Sequence, residues 1–312
     1  MNIRTEVPTI KTNAGLVKAA SDAQLLKQAM DNSTYFIRER VRELGFARKL
    51  IEPKMVTPAD LDRVSGSEQP AIILEKDIEA TAMTVPFRGQ GEARYWEKEN
   101  PIVEFQKIET AKFHKSKFEL MNSKTPYTKI LEQRFIQEAQ KVEDETMIEA
   151  FNKIITDANA KAPGTQEQHV SGGLTKENIS ILIKMLARLR MIPTDPKEGK
   201  PKFLMTQTLK ADLVNLGMIE IGDKNVSKNW EEGTLGVDKL FGIPVVTTIK
   251  NDLVKDNEMY IVAPQDYFGR FFILQDHTLV IKTEADMIEM WTYAAMGLGL
   301  INTKGVCRIV LD

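Results

Sequence analysis

Thr125-Pro126 opens a helical pattern that runs, with one interruption, to Asp157. A threonine hydroxyl can cap free N–H groups, and a proline in the next position has no N–H to lose, so the pair is a strong helix start. Leu131, Phe135, Ala139 and Val142, then Ile148, Phe151 and Ile155, continue at helical spacing. At ~1.5 Å per residue, a helix over Pro126–Asp157 would be about 48 Å long. That outlasts any compact two-layer domain in a chain of 312 residues, so the helix is expected to act as a spar to which other elements attach. Its interruption is the acidic run Glu143-Asp144-Glu145.

Ahead of the spar, the first 20 residues lack periodicity and read as an extended arm. Ser21 and Gln24 form a capping box for a helix striped by Leu25, Leu26, Ala29 and Met30. A second helical stretch runs from Tyr35 through Ile37, Val41 and Leu44 to Gly45, and Pro53 and Pro58 end the helical region. From Ser65 to Met121 the period changes to that of strands: Ala71–Leu74, Thr81–Val85, Ile102–Gln106 and Lys117–Leu120. Phe87 to Trp96 lies among them, punctuated by Gly89 and Gly91 and flanked by aromatics, which makes the whole a long hairpin. A two-stranded ribbon is marginal alone in water, so it should lie on something else.

Beyond the spar, Ala162-Pro163-Gly164-Thr165 and Ser171-Gly172-Gly173 read as a linker and domain boundary. Thr175 caps a helix carrying Ile179, Leu182, Ile183, Leu186 and Leu189, with Leu174 placed to staple to Ile179. Strands are predicted at Lys202–Thr206, Ile243–Ile249, Met259–Ala263, Phe271–Leu274, Thr278–Lys282 and Val306–Leu311, and a short helix over Leu209–Leu216. Strands in runs among a few helices make the fold class α+β.

Several function classes are excluded or disfavoured. With 42 Lys and Arg against 44 Asp and Glu, the net charge is −2, which offers no global basic field for nucleic acid or an anionic membrane. One cysteine, Cys307, allows no internal disulfide, and Met1–Glu6 has no apolar signal-peptide core, so a reducing cytoplasm is expected. The longest uncharged stretch, Met290–Thr303, is shorter than the about 20 residues a membrane helix needs. His114, His169 and His277 are scattered and read as surface or hydrogen-bonded residues, with no metal site. Cys307, inside an apolar strand, reads as a small buried hydrophobe. No phosphate loop or serine elbow is present, and the runs Glu97-Lys98-Glu99 and Glu143-Asp144-Glu145 read as solvated faces with no second cluster to converge on. Met185, Met287, Met290 and Met296 read as core filler. Neither catalytic residues nor cofactors are expected. An arm, a projecting hairpin and a spar leave more apolar surface than one chain covers, which points to contacts between chains.

Certain segments, in order, resemble the major capsid proteins of tailed phages, the Hong Kong-type capsid fold shared with encapsulins. Val85-Pro86-Phe87 to Tyr95-Trp96-Glu97-Lys98-Glu99-Asn100-Pro101 is similar to that family's extended hairpin, the E-loop. Phe118-Glu119-Leu120, leading into Thr125–Asp157, resembles the strand that feeds its spine helix. Leu240-Phe241-Gly242-Ile243-Pro244-Val245-Val246 resembles the turn entering a strand of its axial domain. The resemblance implies an N-terminal arm and helices over 1–52, an E-loop region over 53–101, a peripheral domain with spine helix over 102–160 and an axial domain over 161–277. The chain then returns through the peripheral domain over 278–297 and ends in an axial strand over 298–312.

It further implies a subunit that self-assembles into hexamers and pentamers of an icosahedral head. Such a head encloses double-stranded DNA without sequence-specific binding and crosses no membrane. Portal and decoration proteins would be its partners. A separate scaffold protein, or none, is expected, with little or no cleavage of this chain, since only about 20 residues precede the first helix where some relatives carry a scaffolding segment. The virion capsid, assembled in host cytoplasm, would be its location. Arg88, Arg94, Tyr95, Trp96 and Glu97 are the expected E-loop contact residues. Lys98 stands where a cross-linking lysine would, but Glu284–Leu300 holds no asparagine and Asn302 lies just beyond, so covalent welding is not expected. An encapsulin-like compartment enclosing cargo protein, or an oligomeric enzyme, are the alternatives.

Overall fold

The computed structural model describes residues 16–17, 24–28, 30–31, 33–35, 45–62, 69–74, 101–122, 127–193, 199–212 and 239–312. The spar is present as a single helix, α3, over Tyr127–Lys161, 35 residues and about 50 Å long. It is preceded by the short helices α1 (Ala47–Leu50) and α2 (Lys117–Asn122), and followed by α4 (Lys176–Arg188), α5 (Gln207–Asp212) and α6 (Gln265–Phe268). Residues 24–28 are helical, as the capping box at Ser21 predicts, while 36–44 of the second expected helix lie outside the described residues.

Two sheets flank this frame. The five-stranded one is built on a long antiparallel hairpin of β11 (Gly269–Glu284) and β12 (Met287–Leu300). β1 (Pro53–Met55) pairs parallel with β11, while β4 (Gln106–Glu109) and β5 (Phe113–Ser116) pair antiparallel with β12. The two strands predicted within 271–282 are thus one strand, whose register shifts between Ile273 and Gln275 and again between Gln275 and Thr278. The six-stranded sheet runs β6-β13-β10-β7-β9-β8. Its members are β6 (Glu167–Val170), β7 (Lys202–Thr206), β8 (Lys239–Leu240), β9 (Ile243–Thr248), β10 (Glu258–Val262) and β13 (Val306–Leu311). What reads in sequence as one linker is therefore two turns around β6, which lies parallel to β13. A third, two-stranded piece joins β2 (Ala71–Ile73) to β3 (Ile102–Glu104), the antiparallel base of the expected hairpin. The segment between them, 75–100, lies outside the described residues.

Lys117–Leu120 is a helix, not the expected strand. β5 occupies the strand role four residues earlier, and its last pair, Ser116 with Met287, brings it level with the end of the β11–β12 hairpin. Past that point β12 has not begun and no strand among the described residues lies alongside, so the chain satisfies its own backbone by coiling.

Two apolar cores lie along α3. Phe135, Ile136 and Ala139 pack with Leu120, Leu279, Ile281, Ile288 and Met290 in one, where Phe135 meets Phe113 edge-on at 5.7 Å. Met147, Ile148, Phe151, Ile154 and Ile155 join the other, formed by α4 and the six-stranded sheet, where Phe151 lies 5.6 Å from Phe268. Buried side chains recur every fourth residue, and at ~100° per residue such a row advances about 40° per step. Between Phe135 and Ile155 it winds about half-way round the helix, so α3 offers one side to the first core and nearly the opposite side to the second. Of the four methionines expected as filler, Met185, Met290 and Met296 are buried and Met287 is exposed at the hairpin end.

The Thr175 hydroxyl accepts the Asn178 N–H at 3.2 Å, and Leu174 and Ile179 are both buried, so cap and staple are in place at the start of α4. Thr175→Ala should lower stability by about 1 kcal/mol, read as a reduced denaturant midpoint with unchanged slope.

Candidate functional site

Between the two cores lies a buried polar layer. In α3 it interposes Gln140, Glu143 and Asp144 between the apolar groups, in β11 Asp276 and His277, and in β12 Thr292. Glu143 is 3% exposed and Asp144 0% exposed, so the run Glu143-Asp144 is not a solvated face; it has a second cluster to converge on. Its place follows from phase: Glu143 falls on the row Phe135, Ala139, Met147, Phe151 and Ile155, every fourth residue.

Arg48 of α1 grips Glu143 with two donors, Nε to Oε2 at 2.7 Å and Nη2 to Oε1 at 2.6 Å, and Nη2 also reaches Asp276 Oδ1 at 2.9 Å. His277 Nε2 lies 2.7 Å from Glu143 Oε1. The irregularity of β11 turns Asp276 and His277 inward here, and the His277 N–H donates to Asp276 Oδ1 at 2.9 Å. Asp144 accepts the Ala47 N–H at 2.8 Å and Lys250 Nζ at 2.7 Å. The Thr292 N–H donates to Thr110 Oγ1 at 2.9 Å. The chain around α1, the long helix, β11 and the loop after β9 are thereby tied at one level.

Burial works against ionised Glu143, but hydrogen bonds from His277 and Arg48 and the Arg48 charge outweigh it and hold the carboxyl below the usual range. For Asp276, burial is likewise outweighed by Arg48. Burial dominates at Asp144 and pushes its pKa up despite Lys250 and the Ala47 N–H. Burial also opposes the Arg48 charge, yet Glu143 and Asp276 raise its pKa further. The layer is an electrostatic tie in which Arg48 bridges two carboxylates through Nε and Nη2, while its buried Nη1 meets no acceptor among the described residues.

A second junction seats the hairpin base. Val103 and Phe105 pack with Val56 and Phe272 in a small third core that Ile72 and Leu74 flank. The Leu74 N–H donates to the Pro101 carbonyl and the Phe105 N–H to the Pro70 carbonyl, both at 2.9 Å. β12 admits this packing through glycines: a Cβ at Gly299 would stand 2.7 Å from both Leu74 Cδ1 and Val103 Cγ2, and one at Gly297 3.0 Å from Val103 Cγ1. The expected contact residues Arg88, Arg94, Tyr95, Trp96 and Glu97, and Lys98 with them, lie outside the described residues.

His114 is half-exposed beside Glu289, and His169 is exposed near Asp312. Cys307 is fully buried in β13, and burial pushes its thiol up to about 12. Among the described residues no cluster of three His, Cys, Asp or Glu could hold a metal ion. No helix among them is long and apolar enough to cross a membrane.

No family model and no curated protein matches the chain. Solved structures do match. The mature capsid of bacteriophage PhiM1 is similar with a TM-score of 0.55 at 12% identity, over 86% of this chain and 87% of that one. A structure from Mycobacterium phage Adephagia gives 0.54 at 12% identity, over 86% and 90%. The capsid of a native GTA particle gives 0.52 at 10% identity, over 85% and 89%. At such identities the likeness is one of fold, and the fold is the α+β Hong Kong-type capsid fold that the sequence segments resemble.

Glu143→Gln removes the charge that Arg48 and His277 face, and should cost about 3–5 kcal/mol at neutral pH by chemical denaturation. Because the Glu143 carboxyl sits below its ordinary range, its stabilisation is complete above that range and lost as pH falls through the lower folded value. The gap between wild type and Glu143→Gln should therefore shrink only below about pH 4. Asp144 acts oppositely: its raised pKa means that ionisation costs stability, a cost acid removes in both proteins alike. Gly299→Ala, which forces a methyl into Leu74 and Val103, should lower stability by about 1–3 kcal/mol in a thermal melt.

Proposed function

We propose that this chain is a major capsid protein, a structural subunit that self-assembles into hexamers and pentamers of an icosahedral phage head around double-stranded DNA. The observation that carries the proposal is the breadth of the fold likeness: 86% of the chain aligns with 87% of the PhiM1 capsid chain. A net charge of −2 suits a wall that confines nucleic acid without gripping it. In this reading the residues over 53–101 form the E-loop, 102–160 with 278–297 the peripheral domain, and 161–277 with 298–312 the axial domain. Portal, separate scaffold and decoration proteins are its partners, and its place is the virion, reached by assembly in the host cytoplasm.

The described junctions suit that work. A loop that must lie over a neighbouring subunit transmits its grip only if its base is fixed, and β2–β3 is fixed on β11 and β12 through Val103, Phe105, Gly297 and Gly299. Many modest contacts, closed by symmetry, then add up to a stable shell.

Purified protein should elute as very large particles or hexamer-sized rings, with closed shells in negative-stain micrographs and nuclease-protected DNA in particles from infected cells. A discrete dimer or tetramer would overturn the proposal, and co-purified protein cargo in place of DNA would turn it toward an encapsulin-like compartment. Trp96→Ala, which removes a large amphipathic anchor, should weaken docking between subunits by about 2 kcal/mol or more. Shell melting and particle yield in that variant measure the effect.

A further inference from the structure

At the far end of the β11–β12 hairpin, α2 is held by polar bonds that leave its apolar side uncovered. The hairpin turns through Ala285 and Asp286, between the paired Glu284 and Met287. Ala285 sits at φ +53, in the left-handed region where a Cβ is disfavoured. Such a conformation persists where the surroundings over-determine it. Here the Lys117 N–H donates to the Asp286 carbonyl and Lys117 Nζ to the Ala285 carbonyl, both at 2.7 Å, and Ser116 Oγ donates to Asp286 Oδ2 at 3.4 Å. Leu120 faces the core beneath. Phe118 and Met121, three residues apart and so neighbours on one helical face, are 71% and 61% exposed. A rigid mount thus carries two large apolar side chains into water.

The charges around them point to the occupant. Lys115 pairs with Glu119 at 3.1 Å, Lys282 with Glu284 at 3.1 Å, and His114 faces Glu289 at 3.2 Å. Lys117 and Asp286 are engaged with the turn itself. With each lysine matched in place by a carboxylate or a turn carbonyl, this end offers nothing to a polyanion, and it meets a like surface without strong repulsion. Size adds a second constraint. A Phe buries roughly 150–250 Å², whereas a stable interface needs about 800 Å² on each side. Two such residues cannot hold free subunits together, but they contribute in a closed assembly where geometry presents them repeatedly.

We infer that Phe118 and Met121, held out by α2 at the hairpin end, contact a second copy of this chain, in a patch that is filled on assembly and empty in the free subunit. The inference rests on the shell-subunit reading above and adds to it a surface separate from the E-loop.

Photo-crosslinking tests it directly. With Phe118→benzoylphenylalanine, irradiated particles should yield covalent dimers of the chain, and dissociated subunits should not. A particle that gives no cross-link, or a cross-link to a different protein, overturns the inference. In parallel, Phe118→Ser/Met121→Ser should leave the subunit melt unchanged and reduce particle yield at least tenfold, while Phe118→Leu/Met121→Leu retains it. Normal yield from the serine variant, with wild type forming particles, sinks the inference and spares the shell reading. A wild-type protein that stays a small oligomer sinks the shell reading itself.

Discussion

A carboxylate withdrawn from water has to find compensating charge and hydrogen bonds, or the fold that buries it does not persist. Glu143 meets that demand through Arg48 and His277, and Arg48 is in turn shared with Asp276. Because these partners belong to segments far apart in sequence, the pairing is complete only when α1, the middle of the long helix and the irregular part of β11 are all in place. A misplaced segment would strand a buried charge at a cost of several kcal/mol, whereas a slipped apolar contact costs far less. The polar layer thereby sets the register of one core against the other, which two greasy surfaces alone would leave loosely defined.

Elements whose determinants are local were legible in the sequence. The Thr175 cap and the strand Val306–Leu311 carry their signal within a few residues, and each stands where that signal placed it. Thr125 and Pro126 lie outside the described residues, and the helix they were expected to open is described from Tyr127. Lys117–Leu120 was not legible, since its alternation fits a strand and only the end of β12 denies it a partner. The polar layer was hidden for a related reason. Glu143-Asp144-Glu145, taken as a block, looks like a wet patch; taken by phase, Glu143 interrupts an apolar row of period four and so had to be buried. Its counterparts Arg48, Asp276 and His277 share no pattern with it and meet it only in three dimensions. The E-loop contact residues depend on the family resemblance and not on any local rule.

The two glycines of β12 show how shape complements this electrostatics. Leu74 and Val103 lie so close to the strand that no side chain fits at position 299, so the small third core is made by omission as much as by burial. That seat and the polar layer act on the same β11–β12 hairpin, Gly297 and Gly299 beyond the layer on one side and α2 on the other. Strain at either end of the hairpin is therefore borne by one continuous pair of strands.

The position of β13 has a consequence for biosynthesis. It pairs with β10 on one side and β6 on the other, so β6 joins the six-stranded sheet only through it. In the other sheet, β1, β4 and β5 likewise wait for β11 and β12. β1, β4, β5 and β6 thus have no ladder until the residues after 269 emerge, although β7 to β10 can pair among themselves before then. Closure of both sheets therefore waits on residues 269–311, and a nascent chain that still lacks them presents no finished sheet to a neighbour.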